Sequence, residues 1–179
     1  TPFLSLRLND AHNKETVYTA HGQAPGGVTR FYRDNPQYRI GPDVRSWSQH
    51  VLNWAIPEVR ERKLGFVQEL CEQYDVDGFE LDFMRHPPFF RQGETTSEQR
   101  RKIMTGFCRQ AREILDATGR GQHRWLCCRI PSRLSAHDPM GIDVRGMADV
   151  GVEMFNLCSK YFTNPVSYTH LTLPTNREV

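Results

Sequence analysis

Two carboxylates stand two residues apart in the run Gly78-Phe79-Glu80-Leu81-Asp82-Phe83. On a strand, side chains at i and i+2 share a face. Glu80 and Asp82 therefore point one way, and Phe79, Leu81 and Phe83 the other. Acids in a strand that otherwise suits burial are costly unless they are paired or put to use. One use that paired carboxyls suit is glycosidic bond hydrolysis. One carboxyl protonates the leaving oxygen, and the other attacks the sugar or activates water. Their Cα atoms would sit roughly 6.5 Å apart, so the carboxyls can splay to a retaining or an inverting separation. A neighbouring acid raises one carboxyl's pKa while Arg85 or Arg7 lowers the other's, which would split their roles. The competing structural reading makes Glu80 a buried acid held by Arg7 or Arg129. The second acid could also come from Glu153, or from residues outside this chain.

The elements that must position the pair follow from periodicity. Leu4, Leu6 and Leu8 alternate with Ser5, Arg7 and Asn9, which predicts a strand leading into Asp10 and His12. From Ala11 to about Asn53 no clean period appears; the stretch reads as a long loop whose aromatics, among them Trp47 with Trp54 just beyond, could flank a sugar ring. Pro57 and Glu58 open a helix expected to run to about Tyr74. Thr96 and Gln99 form a capping-box pattern ahead of a second amphipathic helix that stops near Gly119. Arg124 to Ile130 reads as a strand ended by Pro131, Gly141 to Asp149 as a helix, and Val152 to Cys158 as a fourth strand. Strands alternating with helices predict an α/β fold with a parallel sheet.

The four units fit part of a (β/α)8 TIM barrel, with about four parallel strands and three crossover helices. Such barrels gather their chemistry at the C-terminal ends of the strands. Arg7, Asn9 and Asp10 end the first strand, and Glu80, Asp82 and Arg85 the second; Arg129 and Ser132 follow the third, with Glu153 and Asn156 in the fourth.

Several functions are set aside by composition. A net charge of +2 is too small to argue for nucleic acid. No apolar run approaches the roughly 20 residues of a membrane helix. The five cysteines show no metal-ligand spacing, and no Ser-His-Asp pattern, P-loop or dinucleotide motif appears. Neither a cofactor nor a resident metal is expected. A metal-dependent hydrolase built on Asp10, His12, Glu80 and Asp82 is one rival reading, although paired-histidine spacing is missing. A catalytically silent barrel that only binds glycans is another, with Trp47 and Trp54 as its platforms. Neither compartment nor oligomeric state follows from the sequence.

Two longer runs, Asn53-Trp54-Ala55-Ile56-Pro57-Glu58-Val59-Arg60 and Tyr74-Asp75-Val76-Asp77-Gly78-Phe79-Glu80-Leu81-Asp82-Phe83-Met84-Arg85, resemble the glycoside-hydrolase-like TIM-barrel families. The likeness extends to Ser5-Leu6-Arg7-Leu8-Asn9-Asp10 and to Arg129-Ile130-Pro131. It implies a carbohydrate substrate, with Asp82 at the matching strand-end position. An acid at Glu80 is less usual in those families. The expected catalytic residues are thus Asp82 and Glu80. Expected substrate contacts are Arg7, Asn9, Asp10, His12, Asn53, Arg85, His86, Arg129 and Glu153.

The glycosidase-like domain is expected over residues 1–165. Residues 166–179 read differently. Val166-Ser167-Tyr168-Thr169-His170-Leu171-Thr172-Leu173-Pro174-Thr175 matches the translation of a common transposase sequencing adapter, so this tail is expected to be non-native.

Overall fold

Four short strands, β1 (Phe3–Arg7), β2 (Gly78–Asp82), β3 (Trp125–Pro131) and β4 (Met154–Cys158), form one all-parallel sheet in the order β1-β2-β3-β4. The computed structural model describes residues 2–9, 29–42, 46 and 48–159. Asp10, His12, Trp47 and the tail from residue 166 lie outside the described residues.

Helices occupy every connection between strands. Before the first long one, α1 (Arg30–Asp34) is capped by the Thr29 hydroxyl, and a single 3-10 turn follows at Pro36–Tyr38. The expected long loop therefore contains helical structure, too short to leave a period in the sequence. Helix α2 (Pro57–Gln73) starts on its proline, as expected. Helix α3 (Ser97–Thr118) carries the full capping box: Thr96 accepts from the Gln99 amide, and the Gln99 side chain accepts from the Thr96 amide. The third connection differs from expectation. In place of one helix it has a 3-10 turn (Leu134–Ala136), then α4 (His137–Met140) and α5 (Val144–Asp149). Gly141 separates the two helices with φ +72°, and its α-carbon packs so close to the Arg100 carbonyl that a Cβ would sit 2.5 Å from it. Only glycine tolerates both conditions.

Pairing register decides which side chains share a face. Leu6, Leu81, Cys128 and Phe155 lie in one row across the sheet. That face packs with Val59, Val67 and Cys71 of α2 and with Met104, Phe107, Ala111 and Leu115 of α3 in a single core. Removing one such buried aromatic typically costs about 3–5 kcal/mol. The opposite face bears two polar rows, Ser5-Glu80-Cys127-Met154 and Arg7-Asp82-Arg129-Asn156. Phe3 and Trp125 in the row below, and Met154 at the end of the first row, remain 43%, 47% and 39% exposed. At Gly78 a Cβ would run into the Trp125 carbonyl and the Phe3 ring, which accounts for the glycine that begins β2.

Trp54 departs from its expected role as a sugar platform. It is fully buried, stacked edge-on against Phe107 at 5.0 Å and Phe89 at 5.6 Å. Its indole N–H donates to Asn9 Oδ1 at 3.0 Å. A large aromatic with one polar atom gains most when the ring is dry and the N–H is paired, and this arrangement achieves both.

Candidate functional site

The two carboxyls sit on the polar face of β2, and the sheet supplies their company from all four strands. Asp82 ends the strand and is only 3% exposed. Its Oδ1 accepts from the Met84 amide at 2.8 Å, which turns the chain out of the strand. Its Oδ2 faces Arg129 Nη1 at 3.4 Å. Burial pushes the Asp82 carboxyl above the usual aspartate value; the Met84 amide and Arg129 oppose the rise, and the charge of Glu80 adds to it. Arg129 also donates from Nε to Cys158 Sγ at 3.0 Å, so its guanidinium is held between β2 and β4.

Glu80 is half-buried and held by neutral donors. Ser5 Oγ of β1 donates to Oε1 at 2.8 Å, and Asn156 Nδ2 of β4 donates to Oε2 at 3.2 Å. The competing reading in which Arg129 holds Glu80 is therefore corrected: Arg129 goes to Asp82. The reason is register, since Arg129 is the direct neighbour of Asp82 while Glu80 faces Ser5 and Cys127. Beside Glu80 the Cys127 thiol is pushed up to about 12, first by burial and then by the carboxylate's charge. A thiol so held stays protonated and is no nucleophile.

The remaining candidates divide. Arg7 and Arg129 flank Asp82 in the pairing register. Arg85 and His86 follow β2 in the connection to α3, both half-buried. Asn9 is buried, and its amide donates to Pro88 O at 3.1 Å and His86 O at 3.4 Å, besides accepting from Trp54. Asn53 is fully buried; it donates to Glu94 at 2.6 Å and accepts from the Ala55 amide at 3.1 Å. Both asparagines thus brace the loops around the site with their hydrogen-bonding groups already engaged. Glu153 is not brought to the pair at all. It precedes β4 at the other end of the sheet, where it accepts from the Leu126 amide at 3.1 Å and pairs with His123 at 2.8 Å and Arg112 at 3.3 Å.

Ser5 and Asn156 were not among the candidate contacts, yet both donate to Glu80, with the Cys127 thiol a further 3.9 Å contact at Oε2. Their signal was present in the i, i+2 alternation of β1 and β4, but only the register aligns them with β2. Among the described residues, no group of three His, Cys, Asp or Glu side chains could hold a metal ion. Among them too, no helix is long and apolar enough to cross a membrane. No family model matches the chain, and no curated protein matches it.

Proposed function

We propose that this protein is a glycoside hydrolase acting on an oligo- or polysaccharide, with Asp82 and Glu80 as its carboxyl pair. One observation carries the reading: two acids share one face of a central parallel strand, Asp82 dry at its C-terminal end and Glu80 partly open two residues before it. Parallel α/β folds place their ligands beyond the carboxyl ends of the strands. Hydrolysis of an acetal needs a proton donor and a second carboxylate, both supplied here without a cofactor.

The winding supports a (β/α)8 barrel as the parent architecture. A doubly wound sheet reverses its strand order part-way, whereas this one runs β1-β2-β3-β4 without reversal. In a barrel the polar rows would face inward and the exposed Phe3, Trp125 and Met154 would become interior layers.

The test is release of reducing ends from a panel of polysaccharides and aryl glycosides. Asp82→Asn should lower the rate about 10²–10⁴-fold, the span of a lost acid–base group. Full activity in a folded Asp82→Asn variant would sink the proposal.

A further inference from the structure

The proposed reaction names the bond that is cut but not the kind of sugar that is held. Resting on that reading, we infer that the sugar seated against Asp82 and Glu80 carries an anionic substituent, a uronic carboxylate or a sulfate ester, received by Arg7, Arg85 and Arg129.

The placement of charge at the strand ends points this way. In the row that closes the polar face, Asp82 has Arg7 of β1 on one side and Arg129 of β3 on the other. Arg85 follows three residues later, near enough for its charge to act on the same carboxyl. Lys63 of α2 brings a fourth cation to the end of β1, where it donates to the Arg7 carbonyl at 3.1 Å. Depth separates the two signs. The Asp82 side chain is 4% exposed and that of Arg129 29%, while Arg7 on the edge strand is exposed. Glu80 lies two residues further back, with Ser5 and Asn156 donating to its oxygens. A ligand arriving at the strand ends therefore meets guanidinium before carboxylate.

Nearby acids do not offset these cations. The connection from β2 to α3 holds one acid, Glu94, which accepts from Asn53 and pairs with Arg91. The connection from β3 to α5 holds two: Asp138 pairs with Arg100 and Arg101, and Asp143 caps α5. A two-carboxyl hydrolysis begins with one of its acids protonated. The catalytic pair then brings one negative charge against three guanidiniums. A neutral glycan covering them would remove water and return only hydroxyl contacts, whereas an anionic group gives charge-assisted hydrogen bonds. Each guanidinium has five donors in a planar fork, so an arginine already engaged with the protein still has N–H groups to turn toward a ligand.

Binding to the full chain is followed by NMR titration, and the sugar is analysed afterwards for cleavage. Two matched pairs serve as probes: galacturonate oligomers with their methyl esters, and sulfated galactan oligomers with their desulfated form. The charged member of at least one pair should bind about tenfold tighter than its neutral counterpart, an advantage that shrinks as salt is raised. A response from the first pair alone assigns the carboxylate, and from the second alone the sulfate. Arg7→Gln and Arg85→Gln should each lower affinity for the charged sugar about tenfold and leave that for the neutral one unchanged. Should Arg85→Gln not fold, Arg7→Gln at its exposed edge position decides the question. Equal or absent binding of charged and neutral members, or equal losses for both in the variants, overturns the inference. So does polyglutamate binding as tightly as the charged sugars, which would mark a general polyanion surface. Preference for a charged sugar with no cleavage of any glycan would instead overturn the proposed function and leave the anionic site standing. Cleavage confined to neutral glycans would do the reverse.

Discussion

The two ends of the sheet use the same residue types for opposite purposes. At the N-terminal end, Arg124 is buried and donates to the Cys71 carbonyl at 3.0 Å, to Thr118 Oγ1 at 2.9 Å and to the Tyr74 carbonyl at 3.5 Å. Those carbonyls belong to the last turn of α2 and its cap, where acceptors are left over and a cation is favoured. Arg112 of α3 reaches Glu153, which in turn holds the amide of Leu126. Each charge there faces an opposite charge or a backbone end that needs it. At the C-terminal end, two acids share one strand face, one of them is dehydrated, and Arg129 faces Asp82 while Ser5 and Asn156 donate to Glu80. A set of groups arranged for stability alone would not place like charges together in a dry strand. On the proposed function, stability belongs to one end and chemistry to the other.

The largest effect that can break this division is on rate. Asp82→Asn should remove most of the hydrolytic activity while leaving the fold intact, because the amide oxygen can still accept from Met84. If the variant lost activity only by unfolding, Asp82 would belong with the structural charges. Next in size is Arg124→Ala, which removes three hydrogen bonds and the buried stem of the side chain. A loss of about 2–4 kcal/mol in unfolding free energy is expected, with the rate per folded molecule unchanged. Denaturant melts beside active-site titration would check both halves. A rate defect in the folded fraction would contradict the division.

The pH dependence of stability gives a third measure. The folded-state pKa of Asp82 is raised above the ordinary value of 3.8 by burial. A raised carboxyl costs stability when ionised, so the cost is present above the folded pKa and fades as pH falls toward the unfolded value. Asp82→Asn should therefore melt above the wild type at pH 7, and the gap should close on acidification through that window. Melting curves from pH 7 to pH 3 measure the gap. A variant less stable than wild type at pH 7 would show that the Arg129 contact outweighs dehydration.

How far these features could be read in advance depends on the range of the interaction that fixes them. Strand β2 and helix α3 are local: the alternation of Phe79, Leu81 and Phe83 and the Thr96–Gln99 box act within one element. The division of α4 from α5 is not local, since Gly141 is demanded by the Arg100 carbonyl on another helix. Asn9, Asn53 and Trp54 illustrate the same limit. Polar groups near strand ends look alike in sequence whether they await a ligand or brace a loop. Only the contacts Trp54–Asn9–Pro88 and Asn53–Glu94 separate the two cases. Ser5 and Asn156 were hidden for the converse reason: each is unremarkable in its own strand and acquires a role through a register spanning all four.

Glu153 offers the smallest effect and the most direct control. From sequence it could have been the second catalytic acid, because a strand beginning at Val152 does not reveal which end of the sheet its first residues occupy. Pairing shows β4 beginning at Met154 opposite Cys127, and Glu153 accepting from the Leu126 amide. Its ion pairs are partly exposed, with His123 half in solvent, so screening limits them to about 1 kcal/mol or less. Glu153→Gln can still accept from Leu126 and should lose only that ion-pair contribution, with no change in hydrolysis rate. A rate loss like that of Asp82→Asn, measured at full folding, would move the second acid to Glu153 and undo the contrast between the two ends. An unchanged rate leaves Glu80, in its clamp of Ser5 and Asn156, as the acid that β2 itself supplies.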